Sequence, residues 1–294
     1  MRNASHHPLR IVLILTLISC LSRCSPPPAV AATPAPTPPS AATTTWQSLF
    51  NGRDLTGWTP HFAGQEVGVN FRNTFRVQDS MLRVSYADYD SFDGAYGHLY
   101  YRQPYSHYKF RFEYRFVGQQ VPGGESWNVR NSGVMFHSQS AESNELAQTF
   151  PVSIELQLLG GLSDGEPRTT GNVCTPGTAV VYGDTIDYRH CINSSSATYD
   201  GDGWIRAEAV VRGGQGMDFL IEGDTVLQFT QPQIGGGFIF RSPGGADWQQ
   251  AGITTTRQAW LDREGELLTE GYIALQAESH GIDFRHIELL DLSE

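Results

Sequence analysis

Charge is scarce in this chain of 294 residues, and most of it is negative. Charged side chains make up 17% of the sequence, and 20 Lys and Arg against 31 Asp and Glu give a formal net charge of −11 at pH 7. Nucleic-acid-binding proteins need a basic surface to meet phosphates, so this balance argues against such a role. The low charge content also disfavours helical bundles and long coiled coils, whose surfaces are rich in Glu and Lys.

Long apolar runs and the familiar catalytic signatures are also missing from the sequence. No stretch approaches the roughly 20 apolar residues that a membrane-spanning helix needs. The chain has no Walker loop, no dinucleotide-binding glycine fingerprint at the start of a helix, no HExxH and no GxSxG. Glycine, with 31 residues, and aromatic side chains, with 11% of the sequence, are abundant instead. This mixture is typical of a turn-rich, all-β protein.

The first 20 residues are typical of a bacterial export signal. An apolar run over 11–18, in which Thr16 is the one polar residue, has the length of a signal-peptide core and is too short to cross a bilayer. The tetrad Leu17-Ile18-Ser19-Cys20 resembles a lipobox, in which the cysteine is lipidated and becomes the new N-terminus. We therefore predict lipidation at Cys20, and the alternative is an ordinary secretion signal that is cleaved nearby.

A proline-rich spacer is predicted over 21–45. Seven of the 16 prolines lie between Pro26 and Pro39, with no charged or aromatic residue among them. Such a segment cannot bury a core and should be extended, in the polyproline conformation. We therefore divide the chain into a signal peptide over 1–20, this linker, and a folded domain over 46–294. We expect an exported protein of the bacterial periplasm or cell surface, held to a membrane only through a lipid anchor.

Two cysteines, Cys174 and Cys191, remain in the predicted domain. In an exported protein, two such thiols form a disulfide more often than a metal site. A zinc site would need two further ligands close by, and His190 alone does not complete one. The sequence therefore predicts a disulfide between Cys174 and Cys191.

Strand signals dominate the predicted domain. Residues 108–117 alternate between aromatic and charged side chains, which is the period of a strand with one face on a core. Many such strands imply two antiparallel sheets packed face to face in one β-sandwich, whereas 160–202 and 235–260 are predicted to be long loops. Strands are predicted over 75–84 (a hairpin that turns at Asp79-Ser80), 108–117, 132–137, 152–158, 204–211, 217–221, 225–229, 271–278 and 282–290, the last two forming a closing hairpin, with one short helix within 255–268.

Amide and carboxylate side chains lie on the predicted non-core faces of several strands. Glu155 and Gln157 form one such pair, Gln276 and Glu278 form another, and Asn131 begins a third strand. Residues two apart on a strand point the same way, so neighbouring strands would combine these groups into a polar floor. Sugar hydroxyls both donate and accept hydrogen bonds, and such a floor suits them. Trp127, Trp248 and Trp260 lie in or near loops, where they could stack on sugar rings.

Four segments resemble the 3-keto-disaccharide hydrolase domain family. The opening is Ser48-Leu-Phe-Asn-Gly-Arg-Asp-Leu-Thr-Gly-Trp58, followed by Asn131-Ser-Gly133 and by Ile154-Glu-Leu-Gln157. The ending is Gly-Tyr-Ile-Ala-Leu-Gln over 271–276, followed by Phe-Arg-His-Ile over 284–287. The resemblance implies a concanavalin A-like jelly-roll sandwich, in agreement with the strand pattern. It also implies an exported bacterial protein, often a lipoprotein.

The resemblance further implies a hydrolase that cleaves a glycosidic bond after the sugar has been oxidised at C3. A ketone at C3 acidifies the C2 proton, so a base removes that proton, the aglycone leaves C1, and water adds to the enone. This route needs one base and a group that stabilises the C3 oxyanion. It also demands a partner oxidoreductase that supplies the 3-keto-glycoside or 3-keto-disaccharide substrate.

Site residues are assigned on this basis. Glu155 is the predicted base, and the groups expected to bind hydroxyls or the enolate oxygen are Asn131, Gln157 and Gln276, with Glu278, His137 and Arg285 as further substrate-binding candidates. The sequence establishes no cofactor, although a divalent cation held by Glu155 and Glu278 could stabilise the oxyanion. Arg285 could instead pair with a carboxylate and brace the last strands.

Two other function classes remain open at this point. A non-catalytic, lectin-like protein is the main alternative, because jelly rolls frequently serve as lectins. A retaining endoglycanase would need a second carboxylate about four positions after Glu155, where the sequence has Leu159.

Overall fold

The computed structural model describes residues 45–236 and 251–293. In these ranges the chain forms 17 β-strands, numbered β1 to β17 in chain order, and a single α-helix, α1 (Arg257–Leu261). No helix in the described ranges is long and apolar enough to span a membrane. The predicted signal peptide, the lipidation site Cys20, nearly all of the proline-rich linker and Trp248 lie outside the described residues.

The larger of the two antiparallel sheets has ten strands. β17 is central, because it pairs with β6 on one side and with both β4 and β1 on the other. In spatial order the strands are β11 (Thr185–Asp187), β10 (Thr178–Tyr182), β15 (Asp224–Ile234), β14 (Gly216–Ile221), β13 (Ile205–Arg212), β6 (His107–Phe116), β17 (Ile282–Asp291), β4 (Met81–Val84) and β3 (Phe75–Gln78), with β1 (Gln47–Ser48) beside β17.

The smaller sheet has seven strands and carries the polar residues singled out above. In spatial order they are β12 (Cys191–Ile192), β9 (Asn172–Cys174), β8 (Ile154–Leu159), β7 (Asn131–Ser138), β16 (Tyr272–Ala277), β5 (Gly97–Tyr101) and β2 (Trp58–Phe62). β8, β7 and β16 are therefore neighbours, although β16 follows β8 by more than 100 residues.

The hydrophobic core lies between the two sheets. In β6 every second residue is buried, as the alternation predicts, and Phe110 packs against Phe136 of β7 with ring centroids 5.7 Å apart. Ile154 and Leu156 of β8 are fully buried in the same cluster. The predicted all-β, jelly-roll-type sandwich of two antiparallel sheets is thus confirmed.

Most of the predicted strands are present, and the hairpin at 75–84 is correct in detail. Asp79 and Ser80 both have positive φ, 52° and 59°, which is the backbone of the tight turn that follows the natural twist of a hairpin. The predicted short helix is also present, as α1. The region 160–202 is not one long loop, however, because it contains β9 to β12. These strands have only two to five residues, too few to show a reliable alternation.

The predicted closing hairpin is wrong. β16 belongs to the seven-stranded sheet and β17 to the ten-stranded sheet, so 279–281 carries the chain from one sheet to the other. Three backbone contacts hold this crossover. Ser279 N–H donates to Tyr86 Oη over 2.7 Å, and its carbonyl accepts from Val121 N–H over 3.0 Å, while Val117 N–H donates to the Gly281 carbonyl over 2.9 Å.

Candidate active site

A pocket of about 320 Å³ lies on the face of the seven-stranded sheet that points away from the core. Its floor is formed by polar side chains of β7 and β8 and by Glu278, directly after β16. Its walls are largely apolar. The floor residues are Asn131, Glu155, Gln157 and Glu278, and the wall residues are Tyr96, Trp127, Thr149, Phe150, Pro176, His190, Ala251 and the Cys174–Cys191 pair.

Strand register explains why the floor residues meet. Gln157 pairs with Gly133 across the β7–β8 ladder, and Asn131 begins the same strand two residues before Gly133. β16 lies on the other side of β7, where Leu275 pairs with Val134. Gln276 follows immediately and Glu278 comes two residues later, so both emerge on the pocket side of the sheet. Four of the seven predicted site residues therefore line the pocket, and Gln276 lies beside them on the same face of the sheet, fully buried.

Gly133 leaves the space in which the Glu155 side chain lies. A Cβ atom at position 133 would come within 2.8 Å of both Cγ and Cδ of Glu155, which is closer than real carbon contacts allow. The Glu155 carboxyl group therefore lies over the glycine, between the Gln157 and Gln276 positions. This close approach explains why the sequence has glycine in the middle of a buried strand.

Glu155 and Glu278 form a buried pair of carboxyl groups. They are only 5% and 3% exposed, and within the described residues neither receives a hydrogen bond or an ion-pair partner. Burial raises the pKa of Glu155 to about 8. Burial, and then the neighbouring charge of Glu155, raise the pKa of Glu278 well above its ordinary value. Two carboxyl groups in one dry site cannot both ionise easily, so near neutral pH the pair retains at least one proton.

The amide groups of the floor have unused hydrogen-bonding capacity. Gln276 is fully buried, and no described group pairs with its Oε1 or its Nε2. Asn131 donates from Nδ2 to the Trp127 carbonyl over 3.2 Å, while its Oδ1 has no partner among the described residues. Gln157 accepts from Asn172 Nδ2 over 3.0 Å. Buried polar atoms are normally paired, so these amides suit a ligand rich in hydroxyl groups.

The predicted disulfide between Cys174 and Cys191 is confirmed, and it lines one wall of the pocket. Cys174 also pairs with Glu155 across the β8–β9 ladder, so the cross-link connects the edge of the sheet to the strand that carries the carboxyl group. His190 lies close to both sulfur atoms. Because the sulfurs are bonded to each other, they are not available as thiolate ligands for a metal.

Among the described residues, the floor of the pocket provides only some of the ligands that a divalent cation needs. Glu155 and Glu278 have no third His, Cys, Asp or Glu close enough to complete a metal site in the part of the chain that the structure describes. The oxygen atoms that remain belong to the amides of Asn131 and Gln276. The predicted cation therefore stays a prediction, and the chemistry below relies on the protein's own side chains.

Two predicted site residues lie elsewhere, which corrects their assignment. The β7–β16 ladder shifts register between Tyr272 and Ala274, and His137 opposite this bulge has a φ of 47°. The bulge breaks the alternation of β7, so the His137 ring turns away and its Nε2 lies 3.2 Å from the Gly213 carbonyl. Burial lowers the pKa of His137 to about 4, so this imidazole is neutral near pH 7.

Arg285 lies on the ten-stranded sheet, on the other side of the core. Its guanidinium bonds Glu113 over 2.6 Å and stacks on Trp204 with 4.0 Å to the ring centroid. Pairing with a carboxylate was the alternative raised for Arg285, and the structure has this arrangement. The cause of the error is the crossover at 279–281, which places β17 in the other sheet.

Sequence reasoning missed several pocket walls. Tyr96, Thr149, Phe150 and Pro176 lie in connections between strands, where no periodic pattern marks them. Trp127, one of the three tryptophans considered for sugar stacking, does line the pocket. Trp260 lies on α1 and lines a different cavity.

Comparison with known proteins identifies a family. The sequence profile described as the 3-keto-alpha-glucoside-1,2-lyase-like domain matches residues 45–290. No curated protein matches the chain significantly. Two structures of a candidate glycosyl hydrolase from Parabacteroides distasonis resemble this chain, each over 84% of its length and with a TM-score of 0.48. The first is 16% identical and matches over 94% of its own chain, and the second is 17% identical and matches over 100%. A Bacillus subtilis protein of unknown function with a galectin-like fold is 13% identical over 84% of this chain and 95% of its own, with a TM-score of 0.40.

Proposed function

The chain belongs to the 3-keto-alpha-glucoside-1,2-lyase-like domain family, and on this premise we propose that it cleaves 3-keto-glycosides, including 3-keto-disaccharides, by elimination followed by hydration. The observation that carries the proposal is the buried carboxyl pair, Glu155 and Glu278, on an amide-rich floor. An elimination needs a base for a carbon acid and an acid for the leaving oxygen. A pair of carboxyl groups that loses its two protons in separate steps supplies both.

Glu155 is the base in this mechanism, and Glu278 is the acid. The Glu155 carboxylate takes the proton from C2, and the C–H electron pair forms the enolate of the C3 ketone. The enolate then restores the ketone while the C1–C2 double bond forms and the C1–O bond breaks. The departing oxygen takes the proton of Glu278.

Hydration restores both carboxyl groups. The Glu278 carboxylate removes a proton from the water that attacks C1, and Glu155 returns its proton to C2. The net reaction is the hydrolysis of one glycosidic bond, with no change in oxidation state. The raised pKa of both groups supports this division of roles, because a coupled pair loses its protons in two steps and one member can act as base while the other still carries a proton.

The amides have complementary roles. Gln276 Nε2 is a hydrogen-bond donor without a partner among the described residues, and it is suited to the oxygen that becomes negative on C3. Asn131 Oδ1 and the free capacity of Gln157 suit sugar hydroxyls as acceptors. Low polarity in the pocket strengthens each of these interactions.

The test compares a 3-keto-glucoside with the unoxidised glucoside as substrates. We expect aglycone release from the keto substrate alone, and a loss of about 10²-fold or more in kcat for Glu155→Gln. Glu166→Gln, which changes an exposed carboxylate of the same type, is the matched control and should retain full activity. Exchange of the C2 proton with deuterated solvent would identify the carbon acid. Release from the unoxidised glucoside at a similar rate would contradict the elimination route and favour a conventional glycosidase.

A lectin-like protein is the second candidate, because aromatic walls beside an amide floor also suit simple sugar binding. Such a protein would bind the unoxidised sugar and release no aglycone from either substrate, so Glu155→Gln would have no activity to remove. The unpartnered carboxyl pair favours the enzyme, since two buried acids are costly in a site that only binds. A retaining endoglycanase would need a second carboxylate about four positions after Glu155, and β8 has Leu159 there.

We also propose export to the periplasm or cell surface with a lipid on Cys20, which the apolar run, the lipobox-like tetrad and the proline-rich linker support. If Cys20 carries a lipid, the wild-type protein should be recovered in the membrane fraction of the cells, whereas Cys20→Ser should not. The substrate requires a partner oxidoreductase that converts the C3 hydroxyl of a glycoside to a ketone, because the proposed reaction begins from the ketone.

A further inference from the structure

An aromatic platform stands at the edge of the pocket. Trp127 and Tyr96 are stacked with an angle of 9° between their planes and 6.3 Å between ring centroids. Trp127 is 51% exposed, which is unusual for the largest apolar side chain in a fold with an extensive core. Both residues line the pocket whose floor carries the carboxyl pair.

The platform is held in place by specific contacts. Asn128 is fully buried and donates from Nδ2 to Tyr96 Oη over 3.1 Å. The Tyr96 ring packs edge-on against Phe92, with 4.9 Å between centroids, and lies 5.0 Å from the Phe150 ring. The Trp127 carbonyl accepts the hydrogen bond from Asn131, so the platform is tied directly to a residue of the floor.

The contrast between floor and walls indicates what the platform binds. The polar groups are concentrated on the floor. The walls above it are formed mainly by apolar groups, and Thr149 and His190 are their polar members; the apolar part consists of Trp127, Tyr96, Phe150, Pro176, Ala251 and the disulfide. A sugar ring on the floor can satisfy its hydroxyls there. A second sugar as the leaving group would place hydroxyls against walls with few donors or acceptors, and each unpaired hydroxyl would weaken binding.

We propose that Trp127 forms the leaving-group subsite and selects glycosides with an aromatic, phenolic aglycone. This inference rests on the proposed function and adds the class of substrate. Stacking of a flat ring on the indole holds the C1–O bond beside the carboxyl pair. When that bond breaks, the phenolic oxygen takes the proton of Glu278 and the phenol departs.

The experiment uses three 3-keto-glucosides: a phenyl glucoside, a glucoside of a fluorinated aliphatic alcohol whose acidity matches phenol, and a glucosyl disaccharide. Matching the acidity of the alcohols separates stacking from leaving-group reactivity. For Trp127→Ala we expect kcat/KM to fall about tenfold for the phenyl substrate and less than twofold for the fluoroalkyl substrate. Trp127→Phe, which keeps a flat ring, should recover most of the loss. Trp260→Ala, outside the pocket, is the control and should change neither value.

The outcomes distinguish the two proposals. If no keto substrate releases its aglycone, the proposed function fails. If all three are cleaved but Trp127→Ala slows them equally, the reaction stands and the aromatic subsite is overturned. A larger loss for the disaccharide than for the phenyl substrate would overturn it in favour of a sugar-binding platform. Melting curves of Trp127→Ala verify that the variant is folded.

Discussion

Replacement of Glu155 by Gln should stabilise the protein while it abolishes the proposed chemistry. Burial raises the pKa of Glu155 to about 8 from an ordinary value of 4.5. The native state therefore retains a proton that the unfolded state releases between these two pH values. In this window the free energy of unfolding falls as pH rises, by up to about 1.4 kcal/mol per pH unit. A neutral Gln carries no such penalty.

The size of the effect follows from the shift. The difference between 4.5 and 8 corresponds to about 5 kcal/mol above pH 8, which is an upper limit because water that enters the pocket reduces it. For a domain of this size each kcal/mol moves the melting temperature by about 2–4 °C. The melting temperature of Glu155→Gln minus that of wild type should therefore be larger at pH 8.5 than at pH 4.5, by as much as about 10–20 °C.

The assay is thermal unfolding of both proteins at pH values from 4.5 to 9. Glu166→Gln removes an exposed carboxylate and serves as the control for the change in net charge. The reasoning is refuted if the melting difference between Glu155→Gln and wild type is the same at both ends of the range. That result would mean that the carboxyl group is solvated or paired in the native protein.

Three further outcomes are expected. The kcat/KM for a 3-keto-glucoside should rise with pH through a midpoint near pH 8, as Glu155 ionises, and level off about one pH unit higher. Steady-state rates from pH 5 to 9.5 test this; a flat profile would exclude Glu155 as the base. Gly133→Ala should lower the free energy of unfolding by about 1–3 kcal/mol and reduce activity, because its Cβ would crowd the Glu155 side chain; Gly203→Ala, where a Cβ meets no atom within 4 Å, is the control in denaturant titrations. Replacing Cys174 and Cys191 together by Ser should cost about 2–4 kcal/mol of stability, and unchanged melting of the double variant would show that the strand pairing of β9 and β12 suffices without the cross-link.

Alternation along single strands made part of the site predictable. Glu155 and Gln157 were expected on the face opposite Ile154 and Leu156, and the pleat of β8 puts them there whatever the neighbouring strands are. The same local rule applies to Gln276 and Glu278. That these two pairs meet across β7 depends on strand order, which a pattern within one strand does not encode.

The errors have equally local causes. On a regular strand His137 would share the face of Asn131, but the bulge in β7 interrupts the alternation, and a bulge leaves no mark in the spacing of apolar residues. Arg285 would lie near Gln276 if the last two strands formed a hairpin, but the short segment between them changes sheets. Tyr96 and Phe150 are held by loop packing, which depends on contacts distant in sequence.

The crossover at 279–281 links the proposed acid, Glu278, to both sheets. Glu278 emerges from the seven-stranded sheet, and the residue after it is already bonded to Tyr86, while Gly281 is bonded to Val117 at the end of β6. The distance between the Glu155 and Glu278 carboxyl groups therefore depends on how the two sheets are aligned. A substitution at Tyr86 that slides one layer against the other would alter proton sharing inside a pocket that it never touches. Selection for catalysis would therefore act on residues of the joint as well as on those of the floor.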